Sequence, residues 1–255
     1  QVMAGYHNNP AATAEAIAPP TCPASPIHDT NGNVDALTDA DPALYLRVVL
    51  AGVLDDVMRR LAARRPIFHS EADFQLALAL EIQIARPDAQ IRLEKRVADN
   101  PRIVLDLLVV VDDHRMALEL KYPKQKLDVR VGDERFVLPT GASDVERYDI
   151  WRDVVRVERL FSEAIVDEGC ALVLTNAPAF WSPPTRPTPT GYDAFRVHEG
   201  REVSGTLDWG PSAGAGTRAG RTQPLALRGD YRLAWRSYSR VVMSAELSYL
   251  AIVVR

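Results

Sequence analysis

In the run Ile103-Val-Leu-Asp106-Leu-Leu-Val-Val-Val111, Asp106 is the single polar residue among nine. An ionised carboxylate in such a segment costs several kcal/mol unless it is paired or bound to a metal, so Asp106 needs a partner. The next apolar segment alternates. Met116, Leu118, Leu120 and Tyr122 take one face, which forces Ala117, Glu119 and Lys121 onto the other. Folding the two segments about Asp113 and His114 as a hairpin sets Asp106 opposite Lys121 and diagonal to Glu119, with all three on one face; an odd-length loop would slip the register and disperse them. Two carboxylates beside one ammonium suit a hard divalent cation, Mg²⁺ with Mn²⁺ as a substitute. Asp106, Glu119 and the carbonyl of Leu120 would be the oxygen ligands. Lys121 would stand beside an attacking water and stabilise developing negative charge. The reaction class that follows is hydrolysis of a phosphodiester.

The elements that must position these groups are legible in the hydrophobic periodicity. From Ala43 to Arg65 apolar residues recur at three and four (Leu46, Leu50, Val53, Leu54, Val57, Leu61), an amphipathic helix closed by Pro66. Ser70-x-x-Asp73 is a capping-box-like start to a second helix reaching Ala85. Strands are expected over Ile91–Val97, Ile103–Val111 and Met116–Tyr122. Ser143-x-x-Glu146 reads as another capping box, opening a helix to about Val166 with Ile150, Val154, Val157, Phe161 and Ala164 on its apolar face, and Cys170–Asn176 is a short buried strand. Beyond Pro178 the chain is Pro-rich, with a hairpin expected over Phe195–Trp209, a mobile Gly-rich loop at 210–220, and strands over Tyr231–Tyr238 and Leu247–Val254.

Asp106, followed by Glu119-Leu120-Lys121 within an order helix, strand, strand, strand, helix, strand, resembles the PD-(D/E)XK nuclease superfamily, the restriction-endonuclease-like fold. The resemblance covers roughly residues 68–176 and departs from the family pattern at Leu105, where the name-giving Pro usually stands. It implies an α/β fold with a restriction-endonuclease-like core at 67–176, in which a three-stranded antiparallel meander is followed by a helix and a strand. Before the core come a low-complexity tail at 1–42 and a helix at 43–66; a mostly β C-terminal appendage fills 177–255. It further implies a Mg²⁺-dependent endonuclease acting on DNA, in restriction, defence, repair or a mobile element, and a homodimer as a common assembly. Family members often place an acid on the first core helix near the metal. Glu71 qualifies, sharing a helix face with Phe74 and Leu78, though an acid in a first helical turn also suits the helix dipole.

Further substrate-binding candidates are Lys124 and Lys126 beside the motif, Asp149 and Arg156 on the second core helix, and Arg232 and Arg236 with Tyr238 as an Arg/aromatic face. Surface ion pairing explains Asp149, Asp153 and Arg156 about as well. The 255 residues are 47% hydrophobic and 25% charged, and the net charge of −4 argues against a surface coated in positive potential, although residues 177–255 carry ten basic and six acidic groups. No uncharged apolar stretch approaches a membrane span, and with two cysteines, Cys22 and Cys170, and no basic residue before Arg47, a reducing cytoplasm is expected. The five histidines lack zinc-like spacing, and Gly214-x-Gly216-x-x-Ala219 neither follows a strand nor opens a helix. Two rival readings remain: a nuclease-like scaffold that binds nucleic acid or protein without cutting, and a metal-dependent hydrolase of nucleotides or small phosphoesters.

Overall fold

The computed structural model describes residues 42–97, 100–185, 188–242 and 245–255. The tail expected over 1–42 and Cys22 with it lie, but for Pro42, outside the described residues. The elements run α1 (Pro42–Arg64), α2 (Glu71–Ala85), β1 (Gln90–Val97), β2 (Asn100–Val111), β3 (His114–Lys121), β4 (Leu127–Val131), β5 (Glu134–Leu138), α3 (Ser143–Ser162) and β6 (Glu168–Thr175). A looser region follows, with β7 (Glu202–Val203), β8 (Thr206–Leu207), α4 (Ala215–Arg218), β9 (Leu225–Ala226) and β10 (Tyr231–Arg232), before the long strands β11 (Trp235–Val242) and β12 (Ala245–Val254). Among the described residues no helix is long and apolar enough to cross a membrane.

The fold is mixed α/β, built on a six-stranded sheet in the order β1-β2-β3-β6-β12-β11. β1, β2 and β3 form the antiparallel meander, β6 lies parallel to β3, and β12 and β11 continue antiparallel. β6 is buried along its whole length, as a strand covered on both faces must be. On one face Leu54, Val57, Met58 and Leu61 of α1 and Phe74, Leu78 and Ile82 of α2 pack over Leu118, Leu120, Leu172 and Leu174. On the other, Ile150, Trp151, Val154 and Val157 of α3 cover Ala171, Val173, Leu250 and Ile252.

Several expectations are corrected. The hairpin between β2 and β3 turns on Asp112 and Asp113, both at positive φ, 47° and 64°, the two-residue geometry that matches strand twist. Val111 therefore faces His114 and Leu107 faces Leu118, so the register is displaced by two residues from one centred on Asp113 and His114. A shift of two leaves the paired side chains, Leu107 to Val111 against His114 to Leu118, on their expected faces. The chain from Phe195 to Trp209 is not a hairpin: β7 pairs with β10 and β8 with β9. Nor do the last two strands form an appendage, since they hydrogen-bond into the central sheet. Segment 210–220, expected to be a mobile loop in which Gly214 opens no helix, carries the one-turn α4 capped by Gly214, and it bonds to α3 through Thr217 on Asp144 and, just beyond it, Arg221 on Asp149.

Candidate functional site

β2 changes face at Asp106. Leu105 packs with Ala117 and Leu160 beneath α3, whereas Leu107 and Val109 join the opposite core; on a regular strand residues two apart share a face. Glu94 of β1 drops out of the ladder here and takes a positive φ of 49°. The β2–β3 ladder also ends at Leu107 and Leu118, and the Asp106 carboxylate accepts the Leu120 N–H at 2.6 Å where a strand partner would have done so. One residue beyond β3, the Tyr122 N–H donates to Glu71 Oε2 at 2.8 Å. Glu71 is the first residue of α2, whose Ser70 cap accepts the Asp73 N–H. Two carboxylates are thus held by the backbone on either side of Lys121.

α3 supplies the rest. Lys121 Nζ lies 2.6 Å from Asp153 Oδ2 and donates to the Leu120 carbonyl at 2.8 Å. Arg156 reaches Glu119 Oε2 through Nη1 at 2.9 Å and Asp153 Oδ1 through Nη2 at 3.0 Å. The pairs on Asp153 are close but poorly directed as hydrogen bonds, and Glu119 Oε1 is buried with no hydrogen-bond partner. Glu119 and Asp153 side chains are each 1% exposed, against 22% for Lys121 and 26% for Arg156.

The electrostatics follow from crowding. Burial, then the charge of Asp153, pushes the Glu119 carboxyl up to about 8, against the opposing pull of Arg156. Burial likewise raises Glu71 and Asp106, tempered by Lys121 and by the backbone N–H each accepts. Burial works against the Lys121 ammonium, yet Asp153, Glu71 and Asp106 together hold it above its usual range. Lys121 is therefore a cation and not a proton acceptor at neutral pH.

Among the sequence candidates, Glu71, Asp106, Glu119, Lys121 and Arg156 fall in this one cluster, and the Leu120 carbonyl lies within it, occupied by Lys121. Lys124 sits 5.3 Å over the Tyr122 ring and beside Glu146. Lys126 is exposed at the entrance to β4, near Asp128. Three candidates lie elsewhere. Asp149 is taken by Arg221 and Arg152. Arg236 pairs with Asp55 of α1, and Arg232 stands on the separate β7–β10 pair. The expected Arg/aromatic face does not form, because β10 and β11 are interrupted at 233 and 234, and Tyr238 is buried with its hydroxyl on the Arg65 carbonyl.

Asp153 is the main group that sequence reasoning passed over. It stands three after Ile150 and four before Val157 on the buried side of α3, while Phe161, expected on that side, is 37% exposed. A charge at a core position of a helical stripe was the available signal. Glu146 does not complete the expected capping box, because the α3 N-cap is Ala142 without a side-chain bond. Its carboxylate lies over Gly141, where a Cβ would meet Oε1 at 2.0 Å, and it faces Lys124 and Glu71.

No three carboxylate, imidazole or thiol side chains among the described residues are grouped closely enough to enclose a metal ion by themselves. The donors nevertheless fit Mg²⁺, which keeps several waters and takes one or two carboxylates. All are oxygens, and Glu119 Oε1 is buried without a hydrogen-bond partner. Comparison with known protein families, with curated proteins and with solved structures finds no match.

Proposed function

We propose that the chain is a metal-dependent nuclease of the PD-(D/E)XK type, hydrolysing phosphodiester bonds in nucleic acid, DNA foremost. The observation that carries this reading is the placing of Lys121 among Glu71, Asp106 and Asp153 at the end of β3, with Glu119 near Asp106 and Asp153. The order α2, β1, β2, β3, α3, β6, with the β4–β5 hairpin inserted before α3, supports a restriction-endonuclease-like core. Asp106, Glu119 and Glu71 are the candidate ligands, of which one or two, with the Leu120 carbonyl and water, would hold Mg²⁺ or Mn²⁺. When bound, such an ion supplies Lewis acidity and lowers the pKa of water. Lys121, kept charged and aimed by Asp153, orients a nucleophilic water and stabilises negative charge growing on phosphate oxygens. Lys124 lies beside the cluster to meet a flanking phosphate.

A second reading, a nuclease-like module that binds without cutting, is favoured by one observation: Glu119 is shielded from solvent and already paired with Arg156. Cleavage of plasmid and oligonucleotide substrates with Mg²⁺ or Mn²⁺ separates the two. The wild-type chain is expected to cut, and Asp106→Ala and Lys121→Ala each to lose roughly 10²-fold or more. Cutting that survives both substitutions removes this site, no cutting with any metal favours the binding module, and turnover of nucleotides without polymer cleavage favours a small-phosphoester hydrolase.

A further inference from the structure

Glu119 sits in a low-dielectric interior where an unpaired carboxylate is costly, and the cation that reaches its Oε2 is Arg156. The guanidinium uses its fork across two acids, Nη1 on Glu119 and Nη2 on Asp153. Lys121 does not depend on this bridge, since it has its own oxygen of Asp153 and the Leu120 carbonyl. Arg156 is also partly exposed, unlike the Glu119 and Asp153 it bridges.

Resting on the reading of this cluster as a divalent-cation site, we infer that Arg156 is an exchangeable internal counter-ion: its Nη1 arm occupies Glu119 until a hard divalent cation takes that carboxylate, and the freed arm then faces an anionic oxygen of the substrate. Arg156 and the metal therefore compete for Glu119, and removing the fork must tighten metal binding.

The test is calorimetric titration of Mn²⁺ into the intact chain at pH 8, without substrate, for wild type, Arg156→Gln, Arg156→Lys and Asp106→Ala, with circular dichroism to establish folding. Losing a charge-assisted hydrogen bond that competes with the ion is expected to tighten Mn²⁺ binding about tenfold in Arg156→Gln. Arg156→Lys separates exchange from mere charge removal, because lysine keeps the positive charge but cannot span two carboxylates. Tighter binding in Arg156→Lys as well supports exchange, and decides the matter should Arg156→Gln fail to fold. Unchanged or weaker binding in Arg156→Lys overturns it. If wild type binds no Mn²⁺, the exchange falls together with the nuclease reading. If wild type binds, Asp106→Ala does not, and Arg156→Lys matches wild type, only the exchange falls.

Discussion

A carboxyl that stays protonated in the folded chain while it ionises in the unfolded one makes stability fall as pH rises. Glu119 is such a group, with a folded value of about 8 against 4.5 when exposed. The folded protein holds the extra proton between those values, so its contribution is fully present below about pH 4.5 and lost on the way to about pH 8. The expected loss is on the order of a few kcal/mol. Thermal melts of the metal-free chain should fall across this window, and Glu119→Gln should flatten the fall and melt higher than wild type at pH 8. Some slope persists in the variant, because Glu71, Asp106, Glu146 and Glu168 are raised in the same direction. A wild-type profile that rises from pH 5 to 8 would contradict the buried, proton-holding Glu119. The charges in β2 and β3 were legible because their neighbours are aliphatic, so burial had to be inferred for Asp106, Glu119 and Lys121 alike. Asp153 was not, because acids and arginines three and four apart on a helix are the usual pattern of a solvated face. Only its placement between Ile150 and Val157 distinguishes it.

At the scale of elements, the cluster depends on how closely α3 lies on the sheet, since Asp153 and Arg156 reach Lys121 and Glu119 from that helix. Gly169 of β6 sets the distance. A Cβ there would stand 2.1 Å from Val157 Cγ1 and 3.3 Å from the Ala117 carbonyl. Gly169→Ala must therefore push α3 outward or force Val157 from its rotamer, at an expected cost of about 1–3 kcal/mol. Val157→Ala in the same chain removes the clash and should recover part of the loss, so the two substitutions measured by denaturant titration should be strongly non-additive. Additive losses would mean that Gly169 is not the contact that seats the helix. Helix and strand types from Ser70 to Asn176 were largely legible from periodicity, including the Ser70 cap. The β4–β5 hairpin was missed although Gly132-Asp133 lies between two alternating runs, a two-residue turn signal. The register of β2 on β3 was misplaced because two aspartates at positive φ close the turn more tightly than a loop shared with His114. Either loop has an even number of residues, which is why the facing of the site survived the error.

For the whole molecule, the order of strands could not be read from local pattern, because it is set by pairings between distant segments. The parallel junction of β3 with β6, and the addition of β12 and β11 outside it, join residues 114–121, 168–175, 235–242 and 245–254 into one surface. The run Leu247–Val254 reads as a strand, but nothing in it names β6 as its neighbour. The consequence is a prediction about where the chain can be cut. A fragment ending at residue 176 keeps every residue of the charged cluster and the whole meander, and by sequence reasoning alone it is the catalytic core. It also loses the seven residue pairs that β12 makes with β6, and with them the packing of Leu247, Tyr249, Leu250, Ile252 and Val254, all buried. At about 1.5–3 kcal/mol for each large apolar side chain, the five together are worth about as much as the roughly 5–15 kcal/mol by which domains are stable. It also leaves β6, apolar on both faces, as an open sheet edge. The fragment is expected to be insoluble or to lack a cooperative unfolding transition. A soluble fragment with a sharp melt would show instead that the sheet up to β6 is self-sufficient, and that β11 and β12 are additions to a core complete without them.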